Sequence, residues 1–259
     1  MSMAFERIKT FLLSENIDTF SAIKAENLSV IDEKRMPENV KSAVMFLMPY
    51  YTGKHDDRNV SLYAVGLDYH LYVKELSAKF DDGNFYKFFA DTSPINERDA
   101  ALKAGLGFKG QNGLVINEKY GSYVFVGTIL TDAEFDENEY ASNIEKKTCM
   151  GCGLCQKNCA FLRKECDFCF SELNQRKNVT DEELSLIRSK KIRWGCDICQ
   201  EVCPHNKNVA ITPIEFFRKD LLKKVDADLI ENMSKDELSK RAYAWRGKKT
   251  ILRNLGSEN

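Results

Sequence analysis

Phe5, Ile8, Phe11 and Leu12 recur at helical spacing and predict an amphipathic helix over residues 1–14. The unbroken apolar run Val44-Met-Phe-Leu-Met48, ended by Pro49, reads instead as a buried strand. Over 60–80, Leu62, Val65, Tyr69, Tyr72, Val73 and Leu76 fall along one broad helical face, interrupted by Gly66. A short strand is expected over Phe85–Ala90, ending at Asp91. Then come a helix over Glu97–Ala104 stopped by Gly105, and strands over Leu114–Ile116 and Tyr123–Leu130 with a turn at Tyr120-Gly121. Helices and strands mix without regular β-α alternation, which predicts an α+β fold.

The periodicity fades from 149 to about 210, so something other than a packed apolar face must hold that stretch together. From Pro213 short helices resume and lead into the basic segment Arg241–Arg253. Lysine plus arginine (38) nearly balances aspartate plus glutamate (39) over 259 residues, so any nucleic-acid surface has to be local. No apolar stretch approaches the ~18 residues of a membrane span, so no membrane partner is expected. No charged-then-apolar leader opens the chain, which favours a reducing, cytoplasmic setting.

The cysteines explain the stretch without periodicity. All nine lie between 149 and 203, seven of them in two runs, Cys149-x2-Cys152-x2-Cys155-x3-Cys159 and Cys196-x2-Cys199-x3-Cys203-Pro204, with Cys166 and Cys169 between. This is bacterial-ferredoxin spacing, in which three thiolates of one run wrap a [4Fe–4S] cube and the fourth serves its neighbour. Zinc fits isolated C-x2-C pairs and does not account for the triplet or the Cys-Pro ending. The exchange rule assigns Cys149, Cys152, Cys155 and Cys203 to one cube, and Cys159, Cys196, Cys199 plus either Cys166 or Cys169 to the other. Spacing leaves that last choice open. Ala160 stands where proline usually follows the first run. Coordination then supplies much of the folding energy.

Other motifs carry competing readings. Gly105-Leu-Gly107-Phe-Lys109-Gly110 spells G-x-G-x-x-G, but a predicted helix precedes it and strands follow, the reverse of a dinucleotide site. A glycine turn that lets backbone approach a ligand is the better reading. In Asp91-Thr-Ser-Pro94-Ile-Asn-Glu97, Asp91 or Ser93 either caps the following helix or presents a proton-donating carboxylate at a strand end. Asp68-Tyr69-His70 narrowly misses the D-x-H-x-x-G pattern of proteins that ligate cobalt through histidine, because Val73 replaces the glycine. His205 is expected at the surface or beside a cluster rather than as a ligand. The clusters Arg188/Lys190/Lys191/Arg193 and Arg241–Arg253 read first as solvated faces. Trp194 and Trp245 beside them offer aromatic surfaces on which unpaired RNA bases could stack.

From about residue 40 onward the chain resembles the epoxyqueuosine reductase family. The matching stretches are Tyr63-Ala-Val-Gly-Leu-Asp-Tyr-His70, Asp91–Glu97, Ala104–Gly110, Tyr120-Gly-Ser122, Gly195–Asn206 and Arg253-Asn254. The resemblance implies an oxidoreductase with a cobalamin-binding core like that of corrinoid reductive dehalogenases (1–145), a ferredoxin-like module with two [4Fe–4S] clusters (146–210) and a short helical segment packed on the core (211–259). It also implies base-off cobalamin, reduction of the epoxide of epoxyqueuosine in the tRNA anticodon loop, a monomer, and an external donor such as ferredoxin or flavodoxin. Asp91 matches the family's catalytic acid. Cys169-Phe-Ser aligns with the family's mid-module Cys-Ile-Ser, which makes Cys169 the ligand and Cys166 the spare. Asp68, Tyr69, His70, Gly105, Gly107, Lys109 and Gly110 fall in segments that border cobalamin or substrate. Longer members append a C-terminal helical-repeat segment that helps hold tRNA, and this chain ends where that segment would begin. A corrinoid reductase of a small molecule and a ferredoxin-like electron carrier are the alternative readings.

Overall fold

The computed structural model describes residues 2–80, 85–142, 147–159 and 169–256. The N-terminal helix α1 (Met3–Ser14) is capped by the Ser2 hydroxyl and buries Phe5, Ile8 and Leu12. Strands β1 (Phe20–Lys24) and β2 (Ser42–Pro49) follow, and every residue of β2 is buried, as its unbroken apolar run requires. Next come α2 (Tyr69–Lys79), β3 (Tyr86–Phe89), α3 (Glu97–Lys103), the short strands β4 (Phe108–Lys109) and β5 (Val115–Ile116), and β6 (Val124–Thr131). The helical reading of 60–80 divides: a 3-10 turn covers Leu62–Ala64, and the α-helix starts at Tyr69, with Asp68 as its cap.

One antiparallel sheet in the order β1-β2-β6-β3 organises these pieces, with the β4-β5 hairpin beside it. Alternation along β2 divides the core. Val44, Phe46 and Met48 face α1 and α2, whereas Ala43, Met45 and Leu47 face Ala100, Ala101 and Leu106 on the α3 side. Each fully buried side chain of this size contributes about 1.5–3 kcal/mol of transfer free energy. Gly127 of β6 lets the Phe46 ring lie against the neighbouring strand, since a Cβ there would sit 2.2 Å from Phe46 Cζ.

The remaining helices are α4 (Leu154–Asn158), α5 (Phe170–Gln175), α6 (Asp181–Ser189), α7 (Ile198–Glu201), α8 (Ala227–Asn232), α9 (Lys235–Ser239) and α10 (Lys248–Leu255). A third core joins Val60 and Val65 to Trp194, Val225, Ile230, Tyr243, Ile251 and Leu252, so the C-terminal segment packs where the cysteine stretch meets the main body.

This packing corrects one expectation about RNA. Trp194 is completely buried, edge-on to Tyr243, and offers no surface for a base. Its basic neighbours act largely as internal staples: Arg193 donates to the carbonyls of Ile187 and Arg188 at the end of α6, and Arg188 to that of Arg253. Arg253 in turn holds the carbonyls of Arg176 and Lys177, and buried Asn254 bonds those of Asn174 and Arg193. Trp245 does reach solvent, with the Arg246 guanidinium 3.9 Å from its ring centre. No helix among the described residues is long and apolar enough to cross a membrane.

Candidate functional site

Strand β3 pairs with β6 only from Thr131 back to Thr128, the partner of Phe89. Continued in register, the strand would set Asp91 opposite Val126. Instead Asp91 takes φ +56°, a left-handed conformation that aspartate tolerates better than most residues, and the chain leaves the sheet. The helix-cap reading of this segment fails. The cap of α3 is Asn96, whose side chain accepts from the Asp99 N–H, so neither Asp91 nor Ser93 is spent on the helix.

Two groups grip Asp91. Its N–H donates to Glu97 Oε2 at 2.6 Å, and its carboxylate accepts from the Tyr69 hydroxyl. Tyr69 is itself fixed by stacking on Phe125, with ring centres 4.0 Å apart. Burial, and then the charge of Asp91, hold the Tyr69 phenol far above its usual range, so it remains a donor at physiological pH. Burial is also the main reason that the Glu97 carboxyl is pushed up to about 7, with the Asp91 charge adding to it. The loop between Asp91 and Asn96 is pinned from outside, where Ile31 and Asp32 donate to the Pro94 carbonyl and Asn96 donates to that of Ser29.

Asp68 caps α2 by accepting from the His70 N–H at 2.9 Å, and it also meets the His70 ring nitrogen Nδ1 at 2.8 Å. That second bond raises the half-exposed imidazole's pKa, against burial. His70, Val73, Lys74, Ala90 and Thr92 line a cleft of about 430 Å³ next to Asp91.

Beyond the end of β3, residues 124–127 of β6 have no strand on that edge among the described residues, although β2 covers their other edge. Val124, Phe125 and Val126 are only half-buried there. An edge of β6 with no strand partner among the described residues therefore lies at the residue where the chain turns out into Asp91.

The glycine motif closes a second side. Gly105, at φ +74°, ends the α3 turn, and a Cβ on Gly107 would lie 2.4 Å from the Ile116 carbonyl oxygen. A helix runs in and a hairpin runs out, so a dinucleotide site is excluded, as its context implied. Arg98 of α3 donates to the Gly113 carbonyl at 3.2 Å, tying the helix that carries Glu97 to the hairpin. Lys109 points its exposed side chain outward from β4. The hairpin tip, at Gly110, Gln111 and Asn112, lines a small cavity together with Cys149, Cys152, Cys155 and Cys203. His205 lines it too, and its buried Nε2 has no hydrogen-bond partner among the described residues.

The eight described cysteines are unbridged. Cys203 feels the thiols of Cys149, Cys152 and Cys155. Cys199 feels Cys169 and Cys159 most among the thiols but also Cys155, and Cys196 feels Cys169 and Cys199. Cys169 thus lies near Cys196 and Cys199, whereas Cys166 and the loop from Ala160 lie outside the described residues. Backbone N–H groups aim at sulfur, from Ile198 to Cys196 and from His205 to Cys203. Burial is the leading cause that pushes the Cys196 and Cys199 thiols up to about 12, so a cluster must displace protons to bind them. Among the described residues no three His, Cys, Asp or Glu side chains are arranged to hold a single metal ion. A cube asks for less convergence, with one thiolate on each iron.

Sequence reasoning missed what locks the quartets to the sheet. Asp197, between two cysteines, is buried and accepts from the Ser61 hydroxyl (2.6 Å) and the Leu62 N–H (2.9 Å), while Arg58 lies 3.1 Å away. Burial raises its pKa and the arginine pulls it back. Gln200 accepts from Tyr50 and Ser122, and Asn206 accepts from the Ser122 N–H. The only signal in the sequence is that these polar residues interrupt the cysteine run.

Comparison with known proteins puts this architecture in context. No family model matches. The epoxyqueuosine reductase of Cyclobacterium marinum is 29% identical over 244 residues, covering 84% of this chain and 76% of the relative. That of Lactococcus garvieae is 31% identical over 215 residues, covering 73% and 58%. The chain belongs to the epoxyqueuosine reductase family. The Streptococcus thermophilus epoxyqueuosine reductase structure superposes with a TM-score of 0.72 at 21% identity, over 98% of this chain and 80% of that one. The Bacillus subtilis reductase, in a form with its catalytic aspartate loop swung out of the active site, gives 0.69 at 21% identity, over 97% and 80%. The chain thus shares the epoxyqueuosine reductase fold, while spanning between about half and three quarters of the curated reductases it matches.

Proposed function

We propose that the chain is an epoxyqueuosine reductase-like oxidoreductase that reduces the epoxide of epoxyqueuosine in tRNA to queuosine, using cobalamin and two [4Fe–4S] clusters. The observation that carries this reading is the presentation of Asp91. It is exposed, turned out of the sheet beside a strand edge with no partner among the described residues, and held by Tyr69 and Glu97 rather than used to cap a helix. An electron carrier has no use for such a carboxyl.

The residues present fit both cofactors. Val124, Phe125 and Val126, with the free edge of β6, suit a broad amphipathic ring system whose amide arms need backbone partners. The thiol quartets, with N–H groups aimed at sulfur, suit the clusters. Cobalamin, when bound, would supply the reducing power at the epoxide carbon, and clusters held by the thiols would supply its electrons. The chain's own groups then manage the proton and the pose. Asp91 gives the proton at its carboxyl to the oxygen that leaves as water, with the Tyr69 hydroxyl donating to and orienting that carboxyl. Glu97 holds the Asp91 backbone in its left-handed turn. The aromatic pair of exposed Trp245 and Arg246 is suited to stack on an unpaired base of the anticodon loop. A reductase structure 22% identical to this chain, which holds an epoxyqueuosine-modified tRNA stem loop, supports looking for the RNA surface on this fold.

The test is anaerobic incubation of reconstituted protein, cobalamin and reductant with tRNA containing epoxyqueuosine, followed by nucleoside analysis. Queuosine above a no-enzyme control is the expected result, and its absence would overturn the reading.

A further inference from the structure

A cavity of about 920 Å³ forms a groove on the cysteine side of the molecule, and the function proposed above leaves it unused. Its wall contains Cys196 of the second quartet, flanked by Phe170 and Ile198. Its rim is basic. Lys54, Lys190 and Lys207 line it with no ion-pair partner among the described residues, and Lys191 beside them bonds only the Asp56 carbonyl. Of the acidic groups that line it, Asp197 is buried against Arg58, and Glu201 is engaged by that same arginine, which leaves Asp56 as the one free carboxylate among the described residues. His55 reports the same balance: burial first, then the positive charges of Lys223 and Arg58, depress its pKa despite nearby Asp57.

We infer that this groove docks an acidic electron-transfer protein and is the entry point for electrons into the second cluster. The inference rests on the two-cluster reading above. Three features coincide here and nowhere else among the described cavities: a ring of free cations, an apolar floor, and a cluster cysteine in the wall. Cys149, Cys152, Cys155 and Cys203 face the glycine hairpin, so the second set is the one left to meet a donor. Each docking event oxidises the reduced donor by one electron and reduces the cluster by one. Two such events, with two protons, convert one epoxide to a carbon–carbon double bond as its oxygen leaves as water. Complementary charge around such a contact raises association rates by about 10–10³-fold and makes them fall with salt.

The test measures cluster bleaching after anaerobic mixing of reconstituted full-length protein with an acidic flavodoxin at its hydroquinone level. Lys54→Glu/Lys190→Glu is expected to slow the second-order rate at least tenfold, with iron content and deazaflavin photoreduction unchanged. In the unsubstituted protein the flavodoxin rate should drop steeply between 50 and 300 mM salt, a measurement that stands even if the variant fails to fold. An unchanged flavodoxin rate and a flat salt profile would overturn the inference. So would a variant that keeps its flavodoxin rate but loses tRNA affinity, since the groove would then be an RNA surface. Iron content separates this failure from that of the underlying reading: no iron in either protein removes the clusters themselves, and the entry point with them.

Discussion

Asp91 and Cys199 are both placed by contacts beyond their own element, yet by different forces. Asp91 stands at the edge of a packed sheet, behind which Val44, Phe46, Tyr69 and Tyr123 form a continuous apolar core. Cys199 sits on the four-residue helix α7, which packs against the five-residue α4, and the local apolar cluster has only Phe170, Leu173 and Ile187 fully inside. Helices of that length do not persist alone, so coordination must complete what packing starts. A fault at the sheet edge should therefore alter chemistry and leave the fold, whereas a fault among the thiols should alter the fold around them. The largest expected effect tests the first half. Asp91→Asn keeps the shape and removes the proton donor, so queuosine formation should fall by ~10²–10⁴-fold while iron stays at about eight per chain. A loss of iron in that variant would mean that the two regions are not built independently.

Cys199→Ser tests the second half. It should remove one cube only, lowering iron from about eight to about four per chain, because the first quartet draws no thiolate from Cys199. Amide exchange should quicken in α5 and α7 and stay slow in β2 and β6, whose residues pair along their whole length. Loss of all iron would show that the quartets fold as one unit.

The same contrast explains what the chain discloses without a structure. Ligand spacing is set by local chain geometry around a cube, so the cysteine runs were readable directly from the sequence. Strand β2 and helix α1 were equally plain, because burial writes itself as periodicity. Asp91 was different. Its local sequence suits a helix cap, and only the register of β3 on β6 and the Asn96 cap show that its carboxyl is free for other work. Trp194 misled for the opposite reason: flanking arginines suggested a surface, but their guanidiniums turn inward to close helix ends and the indole fills a core. The Arg58–Asp197 lock was invisible because an ion pair between residues so distant in sequence leaves no periodic trace.

Glu97 offers a subtler way to sharpen the comparison, through pH. Its carboxyl is raised to about 7 in the folded protein from an unfolded value near 4.5. The folded state therefore binds more protons between those values, and stability present below pH ~4.5 is lost as pH rises through 7, by about 3 kcal/mol. Glu97→Gln should erase this slope, so that the gap in melting temperature between wild type and variant opens from pH 5 to pH 8 in the variant's favour. The amide oxygen of this variant still accepts from the Asp91 N–H, so turnover should fall less than tenfold. A parallel pair of melting curves would place the buried charge elsewhere.

The smallest effect separates the cap from the catalyst. Asn96→Ala removes the side chain that accepts from the Asp99 N–H at the start of α3, a loss of about 1 kcal/mol, equivalent to a fall of ~2–4 °C in melting temperature for a domain of this size. Turnover should not change at all, because Asp91 is gripped by Tyr69 from α2 and by the Glu97 side chain, and the loop between is pinned through the Pro94 carbonyl. If turnover collapsed while melting barely moved, the helix start would be steering Asp91 after all. The sheet edge would then owe its geometry to a local cap as much as to strand register, and the contrast with the coordinated thiols would weaken at the point where it matters for the chemistry.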